Sequence, residues 1–114
     1  MSQNVPAKDP NSVEPYFFIW CDQTGLNDGS ANDKGELQGA TIATKDVAAD
    51  SGLTVDSSSL AAVTIQGVTY PINTVVTVWL SGGTDGNTYT VRCRITTSDN
   101  RTLDMSMRVP VVSL

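Results

Sequence analysis

Apolar and polar residues alternate strictly in the C-terminal part of the chain. Over residues 88–97, Tyr89, Val91, Cys93 and Ile95 alternate with threonines and arginines, and residues 102–109 repeat the pattern. A period of two is typical of a strand with one buried face. We therefore predict two strands with the arginines in water, joined by a hairpin at residues 98–100.

Shorter segments of the same kind precede them, near residues 37–45, 52–56, 60–66 and 74–80. Glycine, proline, asparagine and aspartate separate these segments, and no amphipathic helical pattern of useful length occurs. About seven short strands in about a hundred residues predict an all-β fold, a single immunoglobulin-like β-sandwich. In such folds a tyrosine entering the penultimate strand packs inward and bonds backbone through its hydroxyl, and Tyr89 is the candidate.

Two segments near the N-terminus are predicted contact regions. Residues 1–14 have two prolines and no periodicity, so we predict an extended N-terminal arm and a sandwich domain over residues 15–114. Four of the seven aromatic residues lie within residues 16–20. An unbroken apolar run this short fits a strand covered on both faces. One cover would be the core and the other a partner subunit.

The loop over residues 23–36 is either a solvated connection or a contact loop. Trp79 is either a core or an interface residue, and its parity, opposite to that of Val76, Val78 and Leu80, favours an interface. The predicted subunit-interface residues are Val5, Val13, Tyr16, Phe17, Phe18, Trp20, Trp79, Leu26, Asn27 and Asp28.

Composition narrows the functions that this fold can have. The chain has 114 residues, 17% of them charged, a net charge of −5 and 25 serines and threonines. An acidic chain is a poor match for nucleic acid, because that affinity depends on lysine and arginine. No apolar stretch reaches the length of a membrane span, and the first residues lack a signal-peptide pattern, so we expect synthesis and retention in the cytoplasm.

The residues also argue against an enzyme, a cofactor and a metal. Histidine is absent, and the carboxylates lie mainly in loops without the spacing of a catalytic pair. The segment Asn27-Asp28-Gly29 lacks two ligand positions of a calcium loop. Cys21 and Cys93 could pair, but a lone pair is no disulfide framework, and we expect two small buried thiols.

A resemblance to a known family rests on several segments. The residues Asp9-Pro10-Asn11-Ser12-Val13-Glu14-Pro15-Tyr16, Gly52 to Ser59 and Val78-Trp79-Leu80-Ser81-Gly82-Gly83-Thr84 resemble the fibre-tail adaptor or head-tail proteins of tailed bacteriophages. The resemblance implies a non-enzymatic virion protein, made in the host cytoplasm. It implies several copies, packed in a ring, that link portal, neck or tail proteins to fibres.

Two other functions remain open from the sequence. A capsid decoration or cement protein would also be small, rich in strands and present in many copies. A module that binds a carbohydrate or a host surface would use Trp79 or the loop over residues 23–36.

Overall fold

The computed structural model describes residues 2–4 and 7–113, and these form strands, turns and loops without a helix. The predicted all-β class is confirmed. In this part of the chain no helix is present that could cross a membrane. The nine strands are β1 (Ser2–Asn4), β2 (Glu14–Ile19), β3 (Ile42–Ala49), β4 (Leu53–Ser59), β5 (Val63–Ile65), β6 (Val68–Tyr70), β7 (Val75–Gly82), β8 (Thr88–Thr97) and β9 (Thr102–Pro110).

The strands form two main sheets and a small hairpin. One sheet has the order β1-β9-β8-β3 and the other β2-β7-β4, while β5 pairs with β6. All pairings are antiparallel except that of β1 with β9. Alternate residues of the two main sheets meet in one apolar core, which gives the sandwich arrangement.

The core follows the period of two that the sequence predicts. Tyr89, Val91, Cys93 and Ile95 of β8 are buried, and Arg92 and Arg94 between them are exposed. Strand β7 departs from the pattern because it is central in its sheet and is buried from Val75 through Val78. Only Trp79 interrupts its buried run before Leu80.

Several predicted strand boundaries are wrong, and turn geometry explains them. The segment predicted as a strand from residue 37 enters β3 only at Ile42, because Gln38 and Gly39 have positive φ angles of 50° and 88°. Such a conformation cannot continue a strand. The segment near residues 60–66 is reduced to β5, which turns at Gln66 and Gly67 into β6. Strand β8 has the predicted bounds.

The N-terminal segment is attached to the C-terminal one. Strand β1 lies parallel to β9, and Lys8 forms a bridge with Val111. The Lys8 side chain is fully buried, and its Nζ donates hydrogen bonds to the carbonyl oxygens of Asp9 (2.8 Å) and Gly82 (2.9 Å). Residues 7–14, which belong to the predicted arm, therefore include a buried anchor.

Candidate interaction surfaces

The outer face of the β2-β7-β4 sheet presents exposed apolar residues around Trp79, with the Asp56 carboxylate bonded to Ser81 at its edge. Pro15 and Ser57 lie opposite Trp79 on its two sides, and Phe17 lies one row further along. Trp79 is 40% exposed, and Val13, two residues before Pro15, is 57% exposed. We call the surface formed by Val13, Pro15, Phe17, Ser57 and Trp79 the tryptophan face. A rim of small polar residues around exposed apolar ones is a composition suited to protein contacts.

Strand β2 divides its aromatic residues between the core and this face. Tyr16 and Phe18 point into the sandwich and are 5% and 0% exposed, and Trp20, directly after the strand, is 1% exposed. Their side chains have no surface to offer a partner in the folded chain. Phe17, of opposite parity, is half-buried on the tryptophan face. Val5 lies outside the described residues, so the interface predicted there stays a prediction.

The loop predicted over residues 23–36 is held in place by its own carboxylates. Asp22 accepts hydrogen bonds from the Thr24 amide (2.8 Å) and hydroxyl (2.7 Å), and from the Lys34 amide (2.7 Å) across the loop. Asp33 accepts from the amides of Gly29 (3.0 Å) and Gly35 (2.9 Å). Both aspartates are buried. The loop is therefore a folded surface element.

These hydrogen bonds set the electrostatics of the loop. The amide of Lys34, followed by the amide and hydroxyl of Thr24, lowers the pKa of Asp22 because each bond favours the carboxylate. Asp28 is exposed, and the Ser30 amide lowers its pKa in the same way. Folding therefore favours the ionised form of both Asp22 and Asp28.

The predicted contact residues of the loop lie at its outer end. Asn27 closes the loop by donating to the Ala40 carbonyl (2.8 Å) and accepting from the Gly39 amide (2.8 Å). Leu26 and Asn27 are partly exposed and Asp28 fully so. The loop that carries these three residues follows β2, whereas Trp79 lies within β7.

Arg101 is an anchor that the sequence analysis did not identify. Its Nη1 and Nη2 donate to the carbonyl oxygens of Glu36 (3.0 Å) and Leu37 (2.7 Å), and its Nε bonds Asp99. The arginine thereby ties the β8–β9 hairpin to the end of the loop. In the sequence, Arg101 follows a hairpin turn and resembles an ordinary solvated arginine. Its acceptors are backbone carbonyl oxygens about 65 residues away in the chain, so no local pattern indicates them.

The outer face of the other main sheet carries ordered charges. Across it, Asp46 of β3, Arg94 of β8 and Asp104 of β9 lie in one row. Arg94 binds Asp104 through two bonds, Nε to Oδ1 (2.8 Å) and Nη2 to Oδ2 (3.2 Å), which lower the pKa of Asp104. Arg92, 3.5 Å from Asp50, lies in the adjacent row. We call the surface formed by Asp46, Arg92, Arg94, Asp104 and Ser106 the arginine face.

The segment Val78 to Thr84 forms a packed corner at the opposite end from the loop. Gly82 and Gly83 have positive φ angles, and the Gly83 amide donates to the Gly52 carbonyl. The buried Tyr89 hydroxyl accepts a hydrogen bond from the Thr84 amide (2.9 Å), which confirms the role predicted for this tyrosine. Together with the bond from Lys8 to Gly82, these bonds join the N-terminal segment and strand β8 to the corner.

The described residues contain no group of acidic or cysteine side chains that could hold a metal ion. Cys21 and Cys93 are buried and free, as predicted. Burial raises the pKa of the Cys93 thiol to about 12, so it stays protonated. The two cysteines are packing groups of the core.

Comparison with known proteins identifies the family of the chain. The family model described as podophage GP4 fiber-tail adaptor protein gp77 matches residues 8–110. A search of curated proteins found no match. The matched family is a structural adaptor and not an enzyme, and the match runs from the Lys8 anchor to the end of β9. The chain therefore belongs to the podophage fiber-tail adaptor protein family.

Proposed function

We propose that the chain acts in several copies in the neck and tail, where it links portal or tail proteins to fibres. The family makes the chain a virion structural protein that contacts other tail or fibre proteins. We propose in addition that the copies form a ring, that this ring lies in the neck, and that the chain is synthesised in the host cytoplasm. A closed ring of about a dozen copies would suit a neck component.

The tryptophan face is the observation that supports this proposal best. It exposes Trp79 and Val13 beside half-buried Phe17, with the uncharged Pro15 and Ser57 directly across the sheet from Trp79. Aromatic residues are enriched at the centres of protein interfaces, while charged ones are depleted there. We assign contacts with neighbouring virion subunits to this face, and contacts with a further virion protein to Asn27 and Asp28 on the loop.

A particle assay tests the proposal. Phage carrying Trp79→Ala should assemble particles with less adaptor and fewer fibres, measured by quantitative mass spectrometry of purified particles. Ile72→Ala is the matched control, because Ile72 is also exposed, at 61%, but lies outside the tryptophan face. Both variants should fold, since exposed positions tolerate such changes. Full adaptor and fibre content with Trp79→Ala would contradict the proposed contact.

The proposed contacts include the N-terminal arm over residues 1–14. Two deletions of different length test its role. Deleting residues 1–6 spares Lys8 and should leave a folded protein that is incorporated poorly. Deleting residues 1–12 also removes the buried Lys8 side chain, so a failure there could reflect unfolding. Normal incorporation of the shorter deletion would contradict a contact role for the arm.

We also infer that the sandwich is immunoglobulin-like. If the six long strands β2, β3, β4, β7, β8 and β9 are lettered B to G in chain order, the sheets become B-E-D and C-F-G. This order and the Tyr89 corner support the inference, because both occur in immunoglobulin domains.

A further inference from the structure

Arg94 on the arginine face is held in a way that suits an aromatic partner. Its two bonds to Asp104 fix the plane of the guanidinium, while the side chain stays 64% exposed. A guanidinium held along its edge keeps a flat surface toward solvent, and arginine stacks on aromatic rings through this surface. Because the geometry is already fixed, little conformational freedom is lost when a ring packs on it.

A depression next to Arg94 is large enough for one such side chain. Its volume is about 330 Å³, and Arg92, Arg94, Asp104, Met105 and Ser106 line it. It therefore combines a positive flat surface with carboxylate oxygens that accept hydrogen bonds. Asp46, on the other side of Arg94 in the same row, adds a further acceptor.

Trp79 has the complementary chemistry on the other outer face of the sandwich. Its indole carries a negative ring face, which attracts a guanidinium, and one N–H, which can only donate. Its neighbours directly across the sheet, Pro15 and Ser57, are uncharged, and the exposed Asp56 carboxylate, bonded to the Ser81 hydroxyl two residues after Trp79, adds a negative group that also attracts a guanidinium. The ring and the depression match in charge and in hydrogen-bonding sense.

We propose that Trp79 of one copy packs on Arg94 of a second copy, so that copies associate head to tail. Each chain carries both halves of this contact, one on each outer face of the sandwich, as a head-to-tail contact requires. Each copy also carries a net charge of −5, so a contact that places an arginine of one copy against the tryptophan face of the next offsets part of the repulsion between copies. The inference rests on the proposed presence of several copies.

A mixing experiment on the full-length chain tests the contact. We expect the wild type to self-associate in sedimentation velocity at concentrations up to about 1 mM, the range of weak contacts. Trp79→Ala and Arg94→Glu should each weaken this association at least about tenfold. Mixed in equal amounts, the two variants should form a heterodimer and no larger species, because each retains the half that the other lacks. Ile72→Ala should associate like the wild type.

A conservative variant separates stacking from simple charge. Arg94→Lys keeps the positive charge but not the flat, two-pronged group, so it should also weaken association. Circular dichroism and thermal unfolding of each variant establish that loss of association is not loss of folding. A wild type that is monomeric at about 1 mM, a mixture that gives no heterodimer, or association that survives both substitutions would overturn the inference.

Failure of this inference is distinguishable from failure of the proposed function. Particles that incorporate Arg94→Glu normally, from a wild type that does not self-associate, would overturn the head-to-tail contact and leave the adaptor function intact. A cross-link between Trp79 and a tail or fibre protein in wild-type particles would likewise overturn the head-to-tail contact. Absence of the adaptor from the neck and tail would contradict the proposed function itself.

Discussion

Gly83, in the corner that Val78 to Thr84 form, packs closely against Val111 in the C-terminal segment. Gly83 has a φ of +95°, and a Cβ added there would lie 2.7 Å from Cγ2 and 3.3 Å from Cγ1 of Val111. Gly86, three residues later, has a φ of +88°, and a Cβ there would meet nothing within 4 Å. The two positions share the backbone conformation and differ in packing.

Substitution by alanine at both positions separates the two costs. A left-handed conformation costs an alanine roughly 1–2 kcal/mol, and this is the whole cost expected for Gly86→Ala. Gly83→Ala adds a clash with the buried Val111, and overpacking costs about 1–3 kcal/mol. We therefore expect Gly83→Ala to lower the free energy of unfolding by roughly 2–5 kcal/mol.

Chemical denaturation with urea measures both values, because the midpoint shifts while the slope stays constant if only stability changes. Val111→Ala makes room for the added methyl group, so it should cost less in the Gly83→Ala background than in the wild type, where it only removes buried methyl groups. Equal destabilisation by Gly83→Ala and Gly86→Ala would refute the close packing of the C-terminal segment on this corner.

Four further predictions concern the loop, its anchor and the core. Asp22→Asn should destabilise the protein more than Asp28→Asn, because only Asp22 accepts the amide of Lys34 across the loop, and thermal unfolding measures the difference. Since the pKa of Asp22 is lowered by folding, its stabilisation is present above the unfolded value of about 3.9 and is lost as the pH falls through the lower folded value. Wild type should therefore lose more stability on acidification than Asp22→Asn, and parallel pH profiles would contradict this. Arg101→Gln should speed amide hydrogen exchange in residues 36–38 while strand β8 stays protected, whereas unchanged exchange would contradict the anchor. Cys93 should react with a thiol reagent at pH 8 only on unfolding, and rapid labelling of the native protein would contradict its burial.

The sequence predicts the strands well where one face is buried and the other is in water. Strand β8 is correct to the residue, because its arginines and buried residues alternate without a break. Strand β7 is less clear, because Val75 and Thr77 are buried as well as Val76 and Val78, so its two faces cannot be told apart by polarity. The predicted start of β3 is wrong because Gln38 adopts a left-handed backbone conformation. A glutamine, unlike a glycine, gives no sign of that conformation in the sequence.

The candidate surfaces are predicted only in part, for a related reason. Parity alone identifies Trp79 as a residue that faces away from the core. The aromatic run over residues 16–20 is interpreted as a strand covered on both faces, by the core and by a partner, and the structure shows that Tyr16 and Phe18 face the core. The place of Asp46 beside Arg94 depends on pairing between β3 and β8, which are distant in the chain, and no local pattern reveals that register.

Cross-linking mass spectrometry of purified wild-type particles, with the adaptor quantified in the same sample, tests most directly whether this chain joins tail to fibre. We predict cross-links from the adaptor to both a tail or portal protein and a fibre protein, at a copy number of about a dozen per particle. Cross-links confined to the major capsid protein, at hundreds of copies per particle, would contradict the adaptor role and indicate a capsid decoration protein instead.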